Sequence, residues 1–436
     1  MRAVPEHGVA NAEVLRRITA ARPELITVAR AGDVVPGMDD RTILTSGAPL
    51  TWPEYTGGQR RAILYAAVHE GLATSTEDAA DLLDRGELRV RSTQQHSCIG
   101  SVAGIYTSSM PVLVVRDRTS GSTAYCNLYE GKSRRRLNYG TYDEEVATGL
   151  RWLASTCAPV LAEALELHGP VDLVPIMARA LRLGDELHSR NTGATLLLQQ
   201  ELTTSLFAVA QRPGRAEPVR EVLEFLQQND YTFLRVAMAA AKATADAGHG
   251  VAGSTVVTGM ALNCREFAIR VSGLGDTWWR GEFPDLEGRF FEGFSEADAE
   301  WLGGESCVTE TIGLGGFAQA AAPTLMDYQG GSFATMVANQ TAMYGITVGE
   351  HPDFRVPALD FRGTPVGIDV LRVVETGVTP VIDGGLAGRA GGQIGAGVLR
   401  TRMQAFARAA DAWHEQQRVS TNEVRTTALT TPGGTS

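Results

Sequence analysis

The sequence has few cysteines and no long apolar run, and both absences exclude whole classes of protein. Its five cysteines are widely spaced and form no C-x-x-C pair, whereas disulfide frameworks and structural zinc sites need paired, closely spaced thiols. No segment approaches the roughly 18 uninterrupted apolar residues of a membrane helix, and the start, "MRAVPEHGVANAEVL", lacks the apolar run of a signal peptide. We therefore expect a cytoplasmic protein with free thiols, no bound metal and no contact with a membrane.

Positive charge is also scarce in this chain. It has 39 lysines and arginines against 50 aspartates and glutamates, which gives a net charge of -11. This balance argues against nucleic acid or an anionic membrane surface as a partner. An anionic substrate would need a local basic pocket that works against the overall field.

What is present is the composition of an ordinary globular protein, with 44% hydrophobic residues among 436. Period-two alternation occurs towards both ends of the chain, whereas apolar residues at three- and four-residue steps dominate its middle. We predict a mixed α+β, multi-domain fold in which a helix-rich middle domain is flanked by α/β segments. The predicted parts are an N-terminal α/β domain (1–95), a β-hairpin region that packs with the C-terminal domain (96–141), a helical domain (142–250), a C-terminal α/β domain with glycine-rich loops (251–418) and a disordered tail (419–436).

One C-terminal stretch, "VETGVTPVIDGGLAGRAGGQIGAG", is one-third glycine. Each glycine loses more backbone freedom on folding than any other residue, so the stretch is costly to order. Either it forms surface turns, or its bare N–H groups approach a ligand. The segments "IDVLRVVETG" and "VTPVIDGG" favour strands beside this stretch. If the stretch approaches a ligand, Gly395 and Gly397 are candidate ligand contacts. Gly315 and Gly316 in "IGLGG" are candidates for the same role.

Three polar stretches are candidates for chemistry. "GDELHSRN" places Asp185 and His188 three residues apart, on one face if the segment is helical, and it could orient a polar substrate or simply cap a helix junction. "CNLYEGKSRRR" contains a basic patch that includes Arg134, which either binds an anion or is a solvated strand end. "HSCIGS" pairs a histidine with Cys98, a conceivable nucleophile without a third orienting residue.

Three acids precede glycine-rich turns, namely Glu310 in "VTETIGLGG", Glu375 in "VVETG" and Asp383 in "VIDGG". An acid at the end of a strand beside such a turn is placed to act as a base or to accept a backbone N–H. Several polar, glycine-flanked loops in one chain favour a small-molecule site assembled from distant segments.

The motifs "MPVLVV…AYCNL.EG", "GDE.H.RN", "IRVSGLG..W", "TET.G.GG", "VVETG.TP.I" and "GQIGAG" stand in this order. They resemble the YlbE/AllG family over about residues 10 to 415. The resemblance implies one subunit of an oxamate carbamoyltransferase, which converts oxalurate and phosphate to oxamate and carbamoyl phosphate, or the reverse. It also implies an FdrA-like subunit and a third small partner, and hence a homo- or hetero-oligomer. It supplies no catalytic residues, and Asp383 stands where the family has an uncharged residue.

Carbamoyl transfer needs a cradle for phosphate, a clamp for the substrate carboxylate, donors for the developing oxyanion and a base, but no cofactor. The candidate catalytic residues are His188, Glu310 and Glu375. The candidate contacts to a small anionic substrate, carbamoyl phosphate or an oxamate-like acid, are Asn127, Arg134, Arg190, Asn191, Arg265, Arg270, Gly315, Gly316, Asp383, Gln393, Gly395 and Gly397.

Two alternatives remain open at the level of the sequence. The chain could transfer a related amide or ureido group in a specialised pathway. It could also be a non-catalytic subunit that shapes or regulates an FdrA-like partner.

Overall fold

A computed structural model of the chain describes the backbone of residues 7–429 and the side chains of residues 7–419. Its first sheet has five strands, which in their order across the sheet are β4 (Cys98–Ile99), β6 (Thr123–Asn127), β5 (Pro111–Asp117), β1 (Pro23–Arg30) and β7 (Val171–Asp172). All pairs are antiparallel except β4 with β6. The elements in this part of the chain are α1 (His7–Ala20), β1 (Pro23–Arg30), α2 (Ala31–Val34), β2 (Thr42–Thr45), α3 (Gly57–His69), α4 (Thr76–Asp84), β3 (Arg89–Ser92), β4 (Cys98–Ile99), β5 (Pro111–Asp117) and β6 (Thr123–Asn127).

The predicted hairpin is β5 and β6, and its turn shows why the chain reverses there. The Asp117 carboxylate accepts the backbone N–H groups of Thr119 and Ser120 at 3.2 and 2.9 Å. Gly121 then takes a φ of +79°, which glycine adopts without strain. The hairpin pairs with β1 and packs against a helix of the middle region. The boundaries expected near 95 and 141 therefore fall within a single sheet.

The middle of the chain is helical, as the three- and four-residue spacing predicts, apart from one short strand at the edge of the first sheet. Its elements are α5 (Glu144–Trp152), α6 (Ala158–His168), β7 (Val171–Asp172), α7 (Leu173–Arg182), α8 (Thr192–Ala210), α9 (Ala216–Gln228) and α10 (Thr232–Ala247). These helices and the first sheet share one apolar core.

The last part of the chain builds three small sheets, β10-β9-β8, β11-β15-β14 and β12-β13. Its elements are β8 (Val257–Leu262), β9 (Phe267–Val271), β10 (Trp278–Gly281), β11 (Asp285–Phe290), α11 (Val308–Thr311), α12 (Met326–Gln329), α13 (Phe333–Met343), β12 (Thr347–Val356), β13 (Arg362–Ile368), α14 (Val370–Thr376), β14 (Val381–Ala387), β15 (Gln393–Arg400) and α15 (Gln404–Leu429). A second apolar core joins β8, β9, β14 and β15 to α14 and α15. The fold is thus mixed α+β.

One prediction for this last part is wrong. "IDVLRVVETG" forms helix α14 and not a strand, because Asp369 caps its first turn by accepting the Leu371 N–H at 3.0 Å. Gly377 ends the helix in the left-handed conformation, at a φ of +69°. The expected tail boundary at 418 lies inside α15; residues 430–436 of that predicted tail lie outside the described residues.

The glycine-rich stretch is mainly a β-hairpin, not an open loop. Gly395 pairs with Phe290 and Leu386, and Gly397 pairs with two further glycines on β11 and β14. A Cβ on Gly397 would lie 2.5 Å from the Glu287 carbonyl oxygen, and one on Gly395 would lie 2.6 Å from the Arg289 carbonyl oxygen. These two glycines allow close approach of neighbouring strands, so their predicted role as ligand contacts is not supported.

Candidate functional site

A large cavity lies where the helical region meets the C-terminal sheets, and its volume is about 680 Å³. Its walls come from distant parts of the chain: the loop after β6, the loop between α7 and α8, helix α10 and strand β14. The polar side chains that line its inner part are Tyr129, Arg136, Tyr139, His188, Tyr231, Arg235 and Asp383. The site is therefore assembled at the junction of the two cores, a common place for a small-molecule pocket.

His188 lies in this wall and contacts Glu310, which is 122 residues away in the chain. His188 Nδ1 lies 2.8 Å from Glu310 Oε1, and both side chains are buried. Burial alone would lower the pKa of His188, but the Glu310 carboxylate raises it above its ordinary value. No described residue forms a hydrogen bond with His188 Nε2. The imidazole can thus present a charged N–H to a ligand in the cavity.

The "GDELHSRN" segment that carries His188 is a loop and not the helical face that the spacing suggested. The Glu186 carboxylate accepts three successive backbone N–H groups, those of His188 at 3.2 Å, Arg190 at 2.8 Å and Ser189 between them. Leu187 is held at a φ of +71°, a strained value for leucine. Glu186 therefore shapes the loop that positions His188, and sequence reasoning assigned it no role.

Gly315 and Gly316 hold the Glu310 carboxylate. Gly316 N donates to Glu310 Oε1 at 3.0 Å, and Gly315 N donates to the Glu186 carbonyl oxygen at 2.7 Å. A Cβ on Gly315 would lie 2.2 Å from Glu310 Oε1, and its φ is +58°. Both N–H groups are occupied within the protein, so the expectation that they bind substrate is not supported. Their glycine identity instead makes room for the acid that supports His188.

We expect Gly315→Ala to destabilise the fold and to displace Glu310. A methyl group at this position must move the carboxylate, whereas Gly377→Ala is a matched control with a φ of +69° and no atom within 4 Å of its Cβ. The control carries only the left-handed backbone penalty of about 1–2 kcal/mol. Thermal unfolding should therefore show a clearly larger loss for Gly315→Ala; equal losses in the two variants would contradict the cradle.

Two buried arginines are the most unusual feature of the cavity. Arg136 is 8% exposed, and its guanidinium lies 4.4 Å from the ring centroid of Tyr139 and donates to the Gly131 carbonyl oxygen at 3.3 Å. Arg235 is 4% exposed and donates to Asn127 Oδ1 at 3.2 Å.

Neither guanidinium has its charge balanced at close range. No described carboxylate lies within 4.0 Å of Arg136 or Arg235, and the Nε of each has no hydrogen-bond partner. A buried, unpaired cation is costly in free energy, and guanidinium groups bind carboxylate and phosphate by paired hydrogen bonds. The pair is therefore a candidate site for an anion inside an acidic protein.

The other arginines proposed from the sequence lie elsewhere. Arg270 is buried but forms an ion pair with Asp246. Arg190 Nε lies 3.4 Å from Asp185 Oδ1, and its side chain is outside the cavity wall. Their charges are thus balanced by acids and unavailable as the expected substrate clamps.

The two exposed arginines differ in position. Arg134 lies with its guanidinium 4.6 Å from the Phe294 ring centroid, outside the cavity wall, so it is not the basic contact that the patch suggested. The neighbouring Arg136 of the same patch takes that place. Arg265 is exposed at the edge of the cavity, as a contact to an entering ligand would be.

Some of the remaining predicted residues contact residues of the cavity wall or lie in it, and one lies outside it. Asn127 orients Arg235, and Asn191 donates to the His188 carbonyl oxygen at 2.9 Å. Gln393 lines the cavity and donates to the Tyr328 hydroxyl. Glu375 is exposed on α14 and does not line the cavity, so its expected catalytic role is not supported.

The structure also gives no support to Cys98 as a nucleophile. Burial raises the pKa of Cys98 well above its ordinary value, and His96 Nδ1 is instead 2.6 Å from the Pro36 carbonyl oxygen. All five cysteines are free. Among the described residues, no helix has the length and apolarity needed to cross a membrane, and no cluster of three or more His, Cys, Asp or Glu could bind a metal.

Arg235 is absent from the residues predicted for the site because it stands outside the polar stretches of the sequence. The signal was present, since an arginine interrupts the apolar run "YTFLRVAMAAA" at a position that the helical spacing buries. A charged residue on the buried face of a helix needs a partner or a function.

Together, the fold and the cavity define an α+β protein with an internal cavity that two buried arginines line beside a histidine–carboxylate pair. Comparison with known proteins agrees. A family model described as oxamate carbamoyltransferase subunit AllG matches residues 88–306. The chain is 37% identical over 411 residues to the oxamate carbamoyltransferase subunit AllG of Escherichia coli K12, which covers 93% of this chain and 97% of that protein. The chain therefore belongs to the AllG family.

Two further relatives have no assigned activity. The uncharacterized protein YahG of E. coli K12 is 39% identical over 411 residues, with 94% of this chain and 86% of YahG covered. A crystal structure of a conserved protein of unknown function from Enterococcus faecalis V583 superposes with a TM-score of 0.90 at 37% identity. The superposition covers 94% of this chain and 98% of the Enterococcus faecalis chain. The two proteins therefore share their fold over nearly their whole length.

Proposed function

We propose that this cavity binds small carboxylates of the oxamate type and takes part in carbamoyl transfer between them and phosphate. The observation that carries the proposal is the pair of buried guanidinium groups, Arg136 and Arg235, which have no carboxylate at salt-bridge distance among residues 7–419. An oxamate-like acid supplies the missing negative charge. Membership of the AllG family supports the reaction class.

Carbamoyl transfer requires different actions of the arginine pair and of His188. The substrate nitrogen attacks the carbamoyl carbon, a C–N bond forms, the C–O bond to phosphate breaks, and one proton passes from nitrogen to the leaving phosphate oxygen. Arg136 and Arg235 hold the carboxylate in place. His188, whose pKa is raised beside Glu310, is a cationic donor to the developing oxyanion or to phosphate.

The volume supports two small reactants in one site. A cavity of about 680 Å³ falls in the range of roughly 300–1,000 Å³ typical of ligand pockets. Arg265 at its edge provides a further positive charge for an entering anion. The reaction as proposed needs no redox cofactor and no metal.

The relative AllG is named as a subunit, and we propose that this chain also acts within an assembly, with an FdrA-like subunit and a third small partner. Its five cysteines are free and four of them are buried, which is compatible with a reducing cytoplasm. The alternative of a non-catalytic subunit differs in one respect: such a chain would not itself bind the reactants.

Calorimetry on the isolated chain tests this proposal. We expect oxamate and carbamoyl phosphate to bind, and oxamide, the uncharged amide of the same shape as oxamate, to bind far more weakly. A charged contact that is lost in this way costs roughly 2–5 kcal/mol. Equal affinity for oxamate and oxamide, or no binding of either anion, would contradict the proposal. Oxalurate formation from the two anions, measured with the chain alone and with its co-expressed partners, then shows which subunits turnover requires.

A further inference from the structure

One acid in the cavity wall has no role in the scheme above. Asp383, at the middle of β14, is fully buried and lines the cavity. Its Oδ1 accepts a hydrogen bond from the Gln319 amide, and its Oδ2 is buried without a partner. A buried carboxylate with an unpartnered oxygen is expensive unless that oxygen carries a proton.

The surroundings of Asp383 are mostly acidic. The charged groups that face it are Glu186 and His188, from the loop between α7 and α8, and Glu310, from α11. Glu310 Oε1 also accepts the backbone N–H of Asp383 at 3.1 Å, which fixes the two acids close together. The amides of Gln319 and Gln329 complete the environment without adding charge.

Glu186 and Asp383 form a pair of buried acids that differ in their hydrogen bonds. Glu186 accepts three backbone N–H groups, which stabilise its carboxylate form. Asp383 accepts one side-chain amide and leaves one oxygen free. Burial and the neighbouring Asp383 also raise the pKa of Glu186, so the two acids titrate together and hold a proton near neutrality. Of the two, Asp383 is the acid that lines the cavity and has a free oxygen, so it can present this proton to a ligand.

We propose that Asp383 is the proton carrier of this site, a carboxylic acid that exchanges its proton with the reactants. This deepens and rests on the proposed function. In the direction of carbamoyl transfer to nitrogen, Asp383 gives its proton to the departing phosphate oxygen as the C–O bond breaks. The resulting carboxylate then takes the proton that the attacking nitrogen releases, so the acid is regenerated and no net proton is consumed.

The energetics match this role. Burial, partly offset by the Gln319 hydrogen bond and reinforced by Glu310, raises the pKa of Asp383 to about 7. An acid that titrates near the working pH can both donate and accept a proton at similar cost, which is the condition for efficient proton transfer.

Infrared difference spectroscopy tests the proton directly and without substrate. We expect the free chain to show a protonated-carboxyl band that disappears as the pH rises through about 7 and that is absent from Asp383→Asn. A spectrum without an Asp383-dependent band below neutrality would overturn the assignment, whatever reaction the protein catalyses.

The use of that proton is tested by the pH dependence of turnover in the assembled enzyme. Asp383→Asn keeps the shape and a hydrogen-bond donor but cannot titrate, so turnover should fall by roughly 10²–10⁴-fold and lose its inflection near neutrality. Binding of oxamate should persist. An active Asp383→Asn enzyme with the wild-type pH profile would refute the proton-carrier role. An inactive wild-type enzyme that binds neither anion would refute the proposed function instead.

Unfolding measurements provide a third readout that needs no activity. The folded chain holds the Asp383 proton up to a pH of about 7, whereas an unfolded aspartate loses it near its ordinary pKa of 3.8. The wild type therefore loses stability relative to Asp383→Asn as the pH rises between these values. We expect the melting temperature of the variant, relative to the wild type, to increase over this range; a constant difference would contradict a shifted pKa.

Discussion

Replacing Arg235 by methionine is expected to remove oxamate binding while leaving the free chain at least as stable as the wild type. The guanidinium is 4% exposed, and no carboxylate in the described part of the chain lies at salt-bridge distance from it. Methionine keeps much of the side-chain volume and removes an unpaired buried charge, a change that is often neutral or stabilising. Loss of the ligand contact should cost about 2–5 kcal/mol of binding free energy, which is roughly a 30-fold to several-thousand-fold loss of affinity.

Two further arginines serve as matched controls for that result. Arg134→Met removes an exposed charge outside the cavity and should change neither binding nor stability appreciably. Arg270→Met removes a buried guanidinium that does have an acidic partner, Asp246. Here stability should fall, because the half-buried Asp246 keeps only Lys242 as an ion-pair partner.

The comparison separates an arginine kept for function from one kept for the fold. Calorimetry with oxamate and thermal unfolding of the four chains supply both readouts. If Arg235→Met lost stability as Arg270→Met does and still bound oxamate, Arg235 would be a structural residue and the anion site would lie elsewhere.

His188→Gln is expected to reduce turnover by roughly 10²–10⁴-fold while the chain remains folded. Glutamine can still donate to Glu310, but it cannot carry the positive charge that the raised pKa of His188 provides. Steady-state kinetics of the assembled enzyme measure the effect, and His414→Gln, on the exposed face of α15, is the control. Turnover within a factor of two or so of the wild type (less than about 0.5 kcal/mol in barrier height) would remove His188 from the mechanism.

The same variant has a pH-dependent stability whose sign follows from the pKa shift. Because the pKa of folded His188 is raised above the ordinary value of 6.5, the folded state binds this proton more tightly than the unfolded state. The ion pair with Glu310 therefore stabilises the fold fully below that value, and its contribution is lost as the pH rises through the folded pKa. Chemical denaturation should show a deficit for His188→Gln that is largest in acid and smaller in alkaline buffer.

Much of the fold was readable from local sequence. The β-branched runs around Gly121 predicted a hairpin, and the three- and four-residue spacing of the middle region predicted its helices. The prediction failed at α14, where apolar β-branched residues suggested a strand. The cap at Asp369 and the terminating Gly377 outweighed that propensity.

The glycines illustrate why the candidate site could be predicted only in part. Their number correctly predicted positions where another group lies close to the backbone, but those groups belong to other parts of the same chain and not to a ligand. Gly315 accommodates the Glu310 carboxylate, and Gly395 and Gly397 accommodate neighbouring strands. A sequence records that a side chain is missing at a position without recording what occupies the space.

By itself, the sequence determined the class of the chain, most of its helices and strands, its acidic charge and the motifs that contain His188, Glu310 and Asp383. Only the tertiary structure decided which arginines are free to bind an anion, because charge balance depends on contacts between residues far apart in the chain. Arg270 is neutralised by Asp246, whereas Arg235 is held by the neutral Asn127, 108 residues away. Local spacing cannot distinguish these two environments, since the free energy of a buried charge is set by the groups that folding brings around it.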